Sequence, residues 1–287
     1  MTPAPAPQAL EGRALDGRVV LVTGAHGGLG SAASLACARA GATVVLLGRK
    51  VPRLNRVHDA IAAQGGAAPV LYPMDLEGAS PDDHLELAGR LGDAFGRLDG
   101  LLHCAAWFAG LTPLEQTDPA ALARGIHVNL TAPLWLTQAC LPLLRRSEDG
   151  AIVFAVDDPA RVGHAYWGGY GLAHLGLDGL VPMLQAELGT GTVRVAGLRP
   201  GPMRTPLRAK AHVEEDDVLA RDPALYAPAA VELLSAAGAR HRGEIWAPAP
   251  AEGAGHVGLD PQPGGLDPQL ADAAADPVTG DHLAQRG

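Results

Sequence analysis

The chain has 287 residues, a formal net charge of −9 and 47% hydrophobic residues. This length and apolar content predict a sizeable core and exclude a wholly disordered protein. The acidic balance argues against a nucleic-acid-binding protein, and no apolar run reaches the roughly 18 to 20 residues of a membrane span. We therefore expect neither nucleic acid nor membrane among the partners.

The cysteines and histidines predict neither a disulfide framework nor a metal site. Cys37, Cys104 and Cys140 are widely spaced and form no CxxC pair, and the eleven histidines form no HExxH motif. The N-terminus, MTPAPAPQAL, has neither the basic start nor the apolar stretch of a signal peptide. We expect a cytoplasmic protein without a metal.

The two ends of the chain differ in composition from its middle. Residues 1–12 are rich in proline and alanine, and residues 251–287 are rich in glycine, proline, alanine and aspartate. Such segments cannot bury enough apolar surface to offset the entropy of ordering. The sequence predicts a disordered N-terminal extension, one folded domain over 13–250 and a disordered acidic tail.

Between these ends, short β-branched runs alternate with longer helical stretches. Strands are predicted at 19–22, 43–47, 69–72, 101–104, 151–156, 193–198 and 244–246. Helices are predicted at 28–40, 52–64, 82–96, 118–145, 166–189 and 224–238. Continuous apolar strands separated by helices are typical of a parallel sheet covered on both faces. We expect a doubly wound α/β domain of about seven parallel strands.

A glycine-rich turn follows the first predicted strand and opens the first predicted helix. In the segment Thr23-Gly-Ala-His-Gly-Gly-Leu-Gly30, the glycines permit a tight turn, close approach of a pyrophosphate and close packing of helix on strand. The helix N-terminus offers N–H donors to phosphate. This is the Rossmann-type dinucleotide fingerprint. The cofactor contacts predicted in the turn are Gly24, His26, Gly28, Leu29 and Gly30.

The end of the second predicted strand bears on which nucleotide is bound. An acidic residue there would hydrogen-bond the ribose 2′-hydroxyl of NAD. The chain instead has Arg49 and Lys50, two cations that suit the 2′-phosphate of NADP. Lys50 is one of only two lysines, the other being Lys210. The sequence favours NADP over NAD.

The spacing TGxxxGxG resembles that of the short-chain dehydrogenase/reductase family, and the resemblance extends over roughly residues 15–250. It implies an adenine-contacting Asp75 after the third strand, an active-site Asn129, and a PGxxxT segment that holds the nicotinamide end. At the fourth strand, where the family usually has NAG, this chain has Cys104-Ala105-Ala106. The further cofactor contacts implied are Asp75, Leu76, Cys104, Ala105, Pro200, Gly201 and Thr205.

The resemblance also implies a carbonyl–alcohol hydride transfer in which Tyr170 exchanges the proton. The family places a lysine four residues after this tyrosine and a serine about thirteen residues before it. Here those positions hold His174 and Asp157, and no serine lies between Ser147 and Ser235. Since an unperturbed phenol has a pKa of about 10, the chemistry needs a nearby cation to lower it. The implied catalytic set is Tyr170, His174, Asp157 and Asn129.

Three hypotheses follow from this altered set. In the first, the protein is an NADP-dependent oxidoreductase in which a protonated His174 supplies the missing charge and a protonated Asp157 donates to the substrate. In the second, Asp157, Tyr170 and His174 perform non-redox acid–base chemistry such as dehydration, cyclisation or isomerisation. In the third, the chain binds NADP(H) without turnover. The sequence alone leaves all three open.

Aromatic and apolar residues cluster near the expected active site although only 4% of the chain is aromatic. By position in the fold that the resemblance implies, Trp107, Tyr166 and Met203 would contact substrate, and residues 203–222 would form a lid. A small apolar or aromatic substrate is the resulting prediction.

The resemblance implies a homodimer or homotetramer built on the long helices 118–145 and 166–189. Pro133, Pro142 and Pro182 lie within these two segments. Because an interior proline kinks a helix at a cost of about 3 kcal/mol or more, the regular packing of such an interface is in doubt.

Overall fold

A computed structural model of the protein describes residues 13–212 and 219–249. They belong to a compact unit whose bounds are Met1–Glu252. The N-terminal extension predicted over 1–12 and the tail predicted over 251–287 lie outside the described residues. Among the described helices, none is both long and apolar enough to cross a membrane.

Seven parallel strands form one sheet in the order β3-β2-β1-β4-β5-β6-β7. The strands are β1 Val19–Thr23, β2 Thr43–Gly48, β3 Val70–Pro73, β4 Gly100–His103, β5 Gly150–Ala155, β6 Val193–Leu198 and β7 Ile245–Trp246. The predicted doubly wound fold is confirmed. Strand order reverses between β1 and β4, and in such sheets ligands bind outside the carboxyl ends of the strands at this switch point.

Eight α-helices cover the two faces of the sheet in the part of the chain that the structure describes. They are α1 Gly28–Arg39, α2 Val51–Ala62, α3 Pro81–Phe95, α4 Pro119–Ile126, α5 Ala132–Leu144, α6 Pro159–Val162, α7 Gly168–Leu188 and α8 Ala227–Leu234. Helices α1, α2 and α8 pack on one face, and α3, α5 and α7 pack on the other. Side chains of β1 alternate between the two cores, which is why the strand is apolar throughout.

The single helix predicted over 118–145 is interrupted by a π-helical turn, His127–Thr131. Asn129 Nδ2 donates to the Gly125 carbonyl oxygen at 2.7 Å, so this side chain competes with the backbone for an acceptor four residues earlier. Such turns occur mostly inside α-helices and often at functional sites. The helix predicted over 224–238 is likewise shorter, because 3₁₀ turns flank α8.

The three helix prolines are accommodated without breaking the helices. Pro133 lies in the first turn of α5, directly after the π-helical turn. Pro142 and Pro182 lie inside α5 and α7, which continue past them. Helix α7 exposes the apolar side chains of Leu172 and Met183, a feature expected of an interface. The homo-oligomer itself stays a prediction.

A buried ionic network closes the amino ends of the central strands. Arg194 on β6 is 1% exposed, and its guanidinium pairs with Asp149 just before β5. Arg18, before β1, pairs with the same carboxylate at 3.0 Å. Ser147 Oγ donates to Asp99 Oδ1 at 2.6 Å beside them. These contacts connect the starts of β1, β5 and β6.

His103, at the carboxyl end of β4, is held in its neutral form. Its ring stacks on Phe154 at 4.7 Å, and its Nε2 lies 2.9 Å from Thr137 Oγ1. Burial lowers the pKa of His103 from 6.5 to about 3. The unfolded chain therefore takes up a proton below its own pKa while the folded chain does not, and stability is lost as pH falls from 6.5 towards 3.

Replacing this ring is expected to flatten the acid side of the stability profile. His103→Gln should reduce the pH dependence of the free energy of unfolding by about 1 kcal/mol per pH unit over this window. Urea titrations at several pH values measure the effect. His58→Gln, at a partly exposed position on α2, is the control and should leave the slope unchanged. Equal slopes in His103→Gln and wild type would contradict a neutral buried imidazole.

Candidate active site

A cavity of about 390 Å³ opens at the carboxyl ends of β1 and β4, where the switch point predicts it. It brings together most of the residues that the sequence singled out. Those that line it are Gly24, His26, Gly28, Leu29, Arg49, Lys50, Asp75, Leu76, Cys104, Ala105, Trp107, Asp157, Tyr170, His174, Pro200, Gly201, Met203 and Thr205. Three predicted site residues do not line it: Gly30, Asn129 and Tyr166.

The glycine turn leaves no space for side chains at the three positions of the fingerprint. A Cβ on Gly24 would lie 2.7 Å from the Ala105 backbone, and its φ of +62° is strained for other residues. A Cβ on Gly28 would lie 2.5 Å from Thr205 Cγ2 across the cavity. A Cβ on Gly30 would meet the Gly24 carbonyl oxygen, so Gly30 serves the packing of α1 on β1. No side chain caps α1, whose N-terminal N–H groups suit a phosphate.

Positive charge gathers where β2 ends. Arg49 and Lys50 line this end of the cavity together with Arg53, from the first turn of α2. Burial and then the charges of Arg53, Lys50 and Arg49 lower the pKa of His26. Arg53 was not singled out from the sequence. Its position three residues after Lys50, at the start of a predicted helix, nevertheless indicates that the two cations lie close together.

Arg49 is also held by acidic neighbours. Its guanidinium lies 3.6 Å from Asp75 Oδ2 and 3.8 Å from Glu77 Oε2. Asp75, predicted to contact adenine, thus lies on the cavity wall and orients Arg49. Lys50 and Arg53 have no ion-pair partner among the described residues, so their charges are available to a ligand.

At the other end of the cavity, the altered catalytic set forms one hydrogen-bonded group. Tyr170 Oη donates to Asp157 Oδ2 at 2.8 Å. The backbone N–H of Asp157 donates to His174 Nδ1 at 3.0 Å, and the Tyr170 and His174 rings lie 4.2 Å apart. Arg161 forms an ion pair with Asp157 Oδ1. The structure therefore brings Tyr170, Asp157 and His174 together and adds a guanidinium.

Arg161 was not singled out from the sequence. It lies on the short helix α6, where the Asp158 carboxylate accepts from the Ala160 N–H at 3.0 Å and Pro159 takes the first position. This cap fixes the start of the helix, and Arg161 then follows Asp157 at a spacing of four residues. An acidic and a basic residue at that spacing commonly pair.

The protonation states differ from those in the first hypothesis. Burial lowers the pKa of His174 to about 4, so at neutral pH the imidazole carries no charge. Burial opposes ionisation of Asp157, but the charge and hydrogen bond of Arg161 outweigh it and lower the pKa of the carboxyl. These directions do not favour the cationic His174 and protonated Asp157 of that hypothesis, because burial acts against the first and Arg161 against the second.

Tyr170 is held as a phenol. Burial and then the charge and hydrogen bond of Asp157 raise the pKa of Tyr170 well above its ordinary value. His174 Nε2 is buried and has no hydrogen-bond partner within the described residues. Because Nδ1 accepts a hydrogen bond from the Asp157 N–H, the neutral tautomer carries its hydrogen on Nε2. The site thus contains a phenol, a carboxylate and one unused N–H donor.

Asn129 supports the cavity wall from behind. Its Oδ1 accepts from the Trp107 N–H at 2.7 Å, and its Nδ2 donates to the Trp107 carbonyl oxygen at 2.8 Å. All its polar atoms are therefore engaged with backbone. Its position in the π-helical turn makes Asn129 a positioning residue for the loop after β4 rather than a residue that contacts a ligand.

Aromatic side chains form the wall beside Tyr170. Phe108 stacks on Trp167 with ring centroids 5.1 Å apart, and Lys210 Nζ donates to the Phe108 carbonyl oxygen at 2.7 Å. Tyr166 is 52% exposed with a φ of 78° and contributes nothing to the cavity, which corrects its prediction as a substrate contact. The adjacent Trp167 lines the cavity instead, because Tyr166 in this conformation turns outward.

Comparison with known proteins shows which family the chain belongs to. The profile of the short chain dehydrogenase family matches residues 18–216. The chain belongs to this family. A relative in Escherichia coli strain K12, the uncharacterized oxidoreductase YciK, is 36% identical over 220 residues, which are 77% of this chain and 87% of the relative. Family membership makes the protein an oxidoreductase.

Solved structures of short chain dehydrogenases share the fold of this chain. A short chain dehydrogenase from Shigella flexneri, complexed with NADP, is 34% identical with a TM-score of 0.78, covering 82% of this chain and 98% of that one. A short chain dehydrogenase from Escherichia coli CFT073, complexed with NADPH, is 35% identical with a TM-score of 0.78 over the same shares. No cluster of metal-ligating side chains occurs in residues 13–212 and 219–249.

Proposed function

We propose that the protein is an NADP(H)-dependent oxidoreductase acting on a small apolar or aromatic substrate. The observation that carries the proposal is the group of three cations, Arg49, Lys50 and Arg53, at the end of the glycine-turn cavity. Lys50 and Arg53, which have no ion-pair partner among the described residues, suit the 2′-phosphate that distinguishes NADP from NAD, and Arg49 lies beside them, paired with Asp75 and Glu77. The two related dehydrogenases complexed with NADP and NADPH support this choice.

The residues present fit such a cofactor from end to end. The N-terminus of α1 would bind the diphosphate with its backbone N–H groups. The unused His174 Nε2–H would donate to a ribose hydroxyl, the role that a lysine fills in the family. Pro200, Gly201 and Thr205 line the cavity at the nicotinamide end. When bound, NADP(H) supplies the hydride.

The remaining residues prepare the substrate. Phe108 and Trp167 provide apolar walls that exclude water, and Met203 lines the same cavity. Tyr170 and Asp157 hold a proton between Oη and Oδ2 beside the reacting position. The carbonyl–alcohol pair is the usual reacting group in this family and is the reference reaction for the proposal.

Cofactor choice is tested by removing one cation. Arg53→Gln is expected to weaken NADPH binding roughly ten- to hundredfold, the range for one charge-assisted hydrogen bond, and to leave NADH binding unchanged. Calorimetric titration with both nucleotides measures this. Arg56→Gln, an exposed position on the same helix that does not line the cavity, is the matched control.

Two results would contradict the proposal. Equal losses of NADPH and NADH affinity in Arg53→Gln would remove the 2′-phosphate from the argument, and no binding of either nucleotide to the wild type would refute a cofactor role. NADPH binding without oxidation by any ketone or imine would favour the third hypothesis, a cofactor-binding protein without turnover.

A further inference from the structure

The reacting position beside Tyr170 presents hydrogen-bond acceptors. Asp157, which stands where the family has a serine, accepts the Tyr170 hydroxyl on Oδ2. Its Oδ1 accepts from the backbone N–H of Asp158 at 2.7 Å and pairs with Arg161. These three donors hold the carboxylate in place and leave one lone pair, on Oδ2, unused by the described residues.

A carbonyl substrate is poorly matched to this arrangement. A carbonyl oxygen only accepts hydrogen bonds, and it gains negative charge as a hydride adds to its carbon. Catalysts of such reactions aim donors at the developing charge. Here the Tyr170 proton is directed to Asp157, and the carboxylate would repel an oxyanion at the same position. A carbonyl therefore lacks the two hydroxyl donors that a tyrosine and a serine would offer it.

We propose that the preferred substrate of this site carries a C=N bond and enters as the protonated iminium ion, whose N–H donates to the Asp157 carboxylate. The inference rests on the proposed NADP(H)-dependent function and specifies its substrate class. The iminium carbon gains the hydride that NADPH supplies, the C=N π pair becomes the nitrogen lone pair, and the products are an amine and NADP⁺. No proton is needed in the step, so the absent serine and lysine are not required.

The other charged groups that line this end of the cavity are basic and engaged with partners, and they include Arg208 and His212. Asp75 and Glu77 lie at the far end with Arg49. Arg161 is paired with Asp157 itself, and the Lys210 ammonium is engaged by the Phe108 carbonyl oxygen. Among the described residues that line the cavity, Asp157 is the one carboxylate near Tyr170.

The wall next to this carboxylate also suits a flat cation. Phe108 and Trp167 stack with an interplanar angle of 22°, and both rings lie within 6 Å of the Tyr170 ring. Aromatic faces attract organic cations by their quadrupole. A flat aromatic substrate would therefore pack against these rings beside the carboxylate, where the Arg161 guanidinium already lies 5.8 Å from the centroid of the Trp167 ring.

The inference is tested with a matched pair of bicyclic substrates. With NADPH, wild-type kcat/KM is expected to be at least about tenfold higher for 3,4-dihydroisoquinoline than for 1-tetralone, which corresponds to a difference of one charge-assisted hydrogen bond. Asp157→Ser removes the carboxylate and restores a hydroxyl donor, so the preference should reverse. Asp158→Ser is the control, because serine also caps a helix and this side chain is exposed outside the cavity.

Binding provides a readout that is independent of turnover. In the NADPH complex, the wild type is expected to bind 1,2,3,4-tetrahydroisoquinolinium at least about tenfold more tightly than neutral isochroman, and Asp157→Ser should abolish this difference. Preference of the wild type for 1-tetralone, or an unchanged preference in Asp157→Ser, would overturn the inference. Absence of NADPH binding would instead refute the proposed function, so the two failures are distinguishable.

Discussion

Gly28→Val is expected to weaken NADPH binding by about a hundredfold, or about 3 kcal/mol, while the fold is retained. The first atom of the new side chain would lie 2.5 Å from Thr205 Cγ2 and 3.3 Å from Pro223 Cγ. It would therefore push the segment that carries Thr205 away from the glycine turn and distort the cavity wall where the diphosphate is expected. Quenching or enhancement of NADPH fluorescence on titration measures the affinity.

The matched control is Gly89→Val on α3, where a Cβ meets no atom within 4 Å. This variant carries the same loss of backbone freedom and the same β-branched side chain in a helix, yet its NADPH affinity should equal that of the wild type. Circular dichroism and thermal unfolding establish that both variants fold. Unchanged affinity in a folded Gly28→Val would show that the diphosphate does not lie against this turn.

Asp149→Ala is expected to lower the free energy of unfolding by about 3 to 5 kcal/mol, because it leaves a buried charge without its partner. Arg194 is 1% exposed and pairs with Asp149, and Arg18 pairs with the same carboxylate. Burial already lowers the pKa of Arg194 to about 10, with Arg18 and Arg242 adding to the effect. Urea denaturation should show a lower midpoint with an unchanged slope.

The adjacent residue provides the control for this stability prediction. Glu148 is exposed, and Glu148→Ala should change stability by no more than about 0.5 kcal/mol. If Asp149→Ala also fell within that range, the carbonyl oxygens of Leu233 and Ser235, which accept from Arg194 Nη2, would be sufficient partners for the guanidinium. The network would then be neutral in stability rather than essential.

The site combines a conventional cofactor end with an unusual chemical end. At the cofactor end, the glycine turn and the cations Lys50 and Arg53 form the kind of nucleotide cradle that the family resemblance implies. At the chemical end, Tyr170 keeps its proton because burial and then the Asp157 carboxylate raise the pKa of the phenol. This difference is why the cofactor and the reacting bond are proposed and tested separately.

The sequence by itself determined the fold and the position of the cavity. Strands β1 and β6 were predicted within one residue of their observed ends, because a strand buried on both faces must be apolar along its whole length. The glycines at positions 24, 28 and 30 were readable for a similar reason: a tight turn and close backbone approaches permit no other residue there. The tight turn is a local requirement, whereas the close approaches at Gly24 and Gly28 involve Ala105 and Thr205, and the glycine spacing reflects both.

The tertiary structure alone decided what the catalytic residues are in chemical terms. Asp157, Tyr170 and His174 were found by spacing, but their charges depend on burial and on Arg161, and neither is a property of spacing. Tyr166 and Trp167 are neighbours in the chain, and only the backbone turn at Tyr166 determined which ring lines the cavity. Tyr170 is buried against Phe108, which lies far from it in sequence, and for that reason a single sequence does not display the burial that sets its protonation.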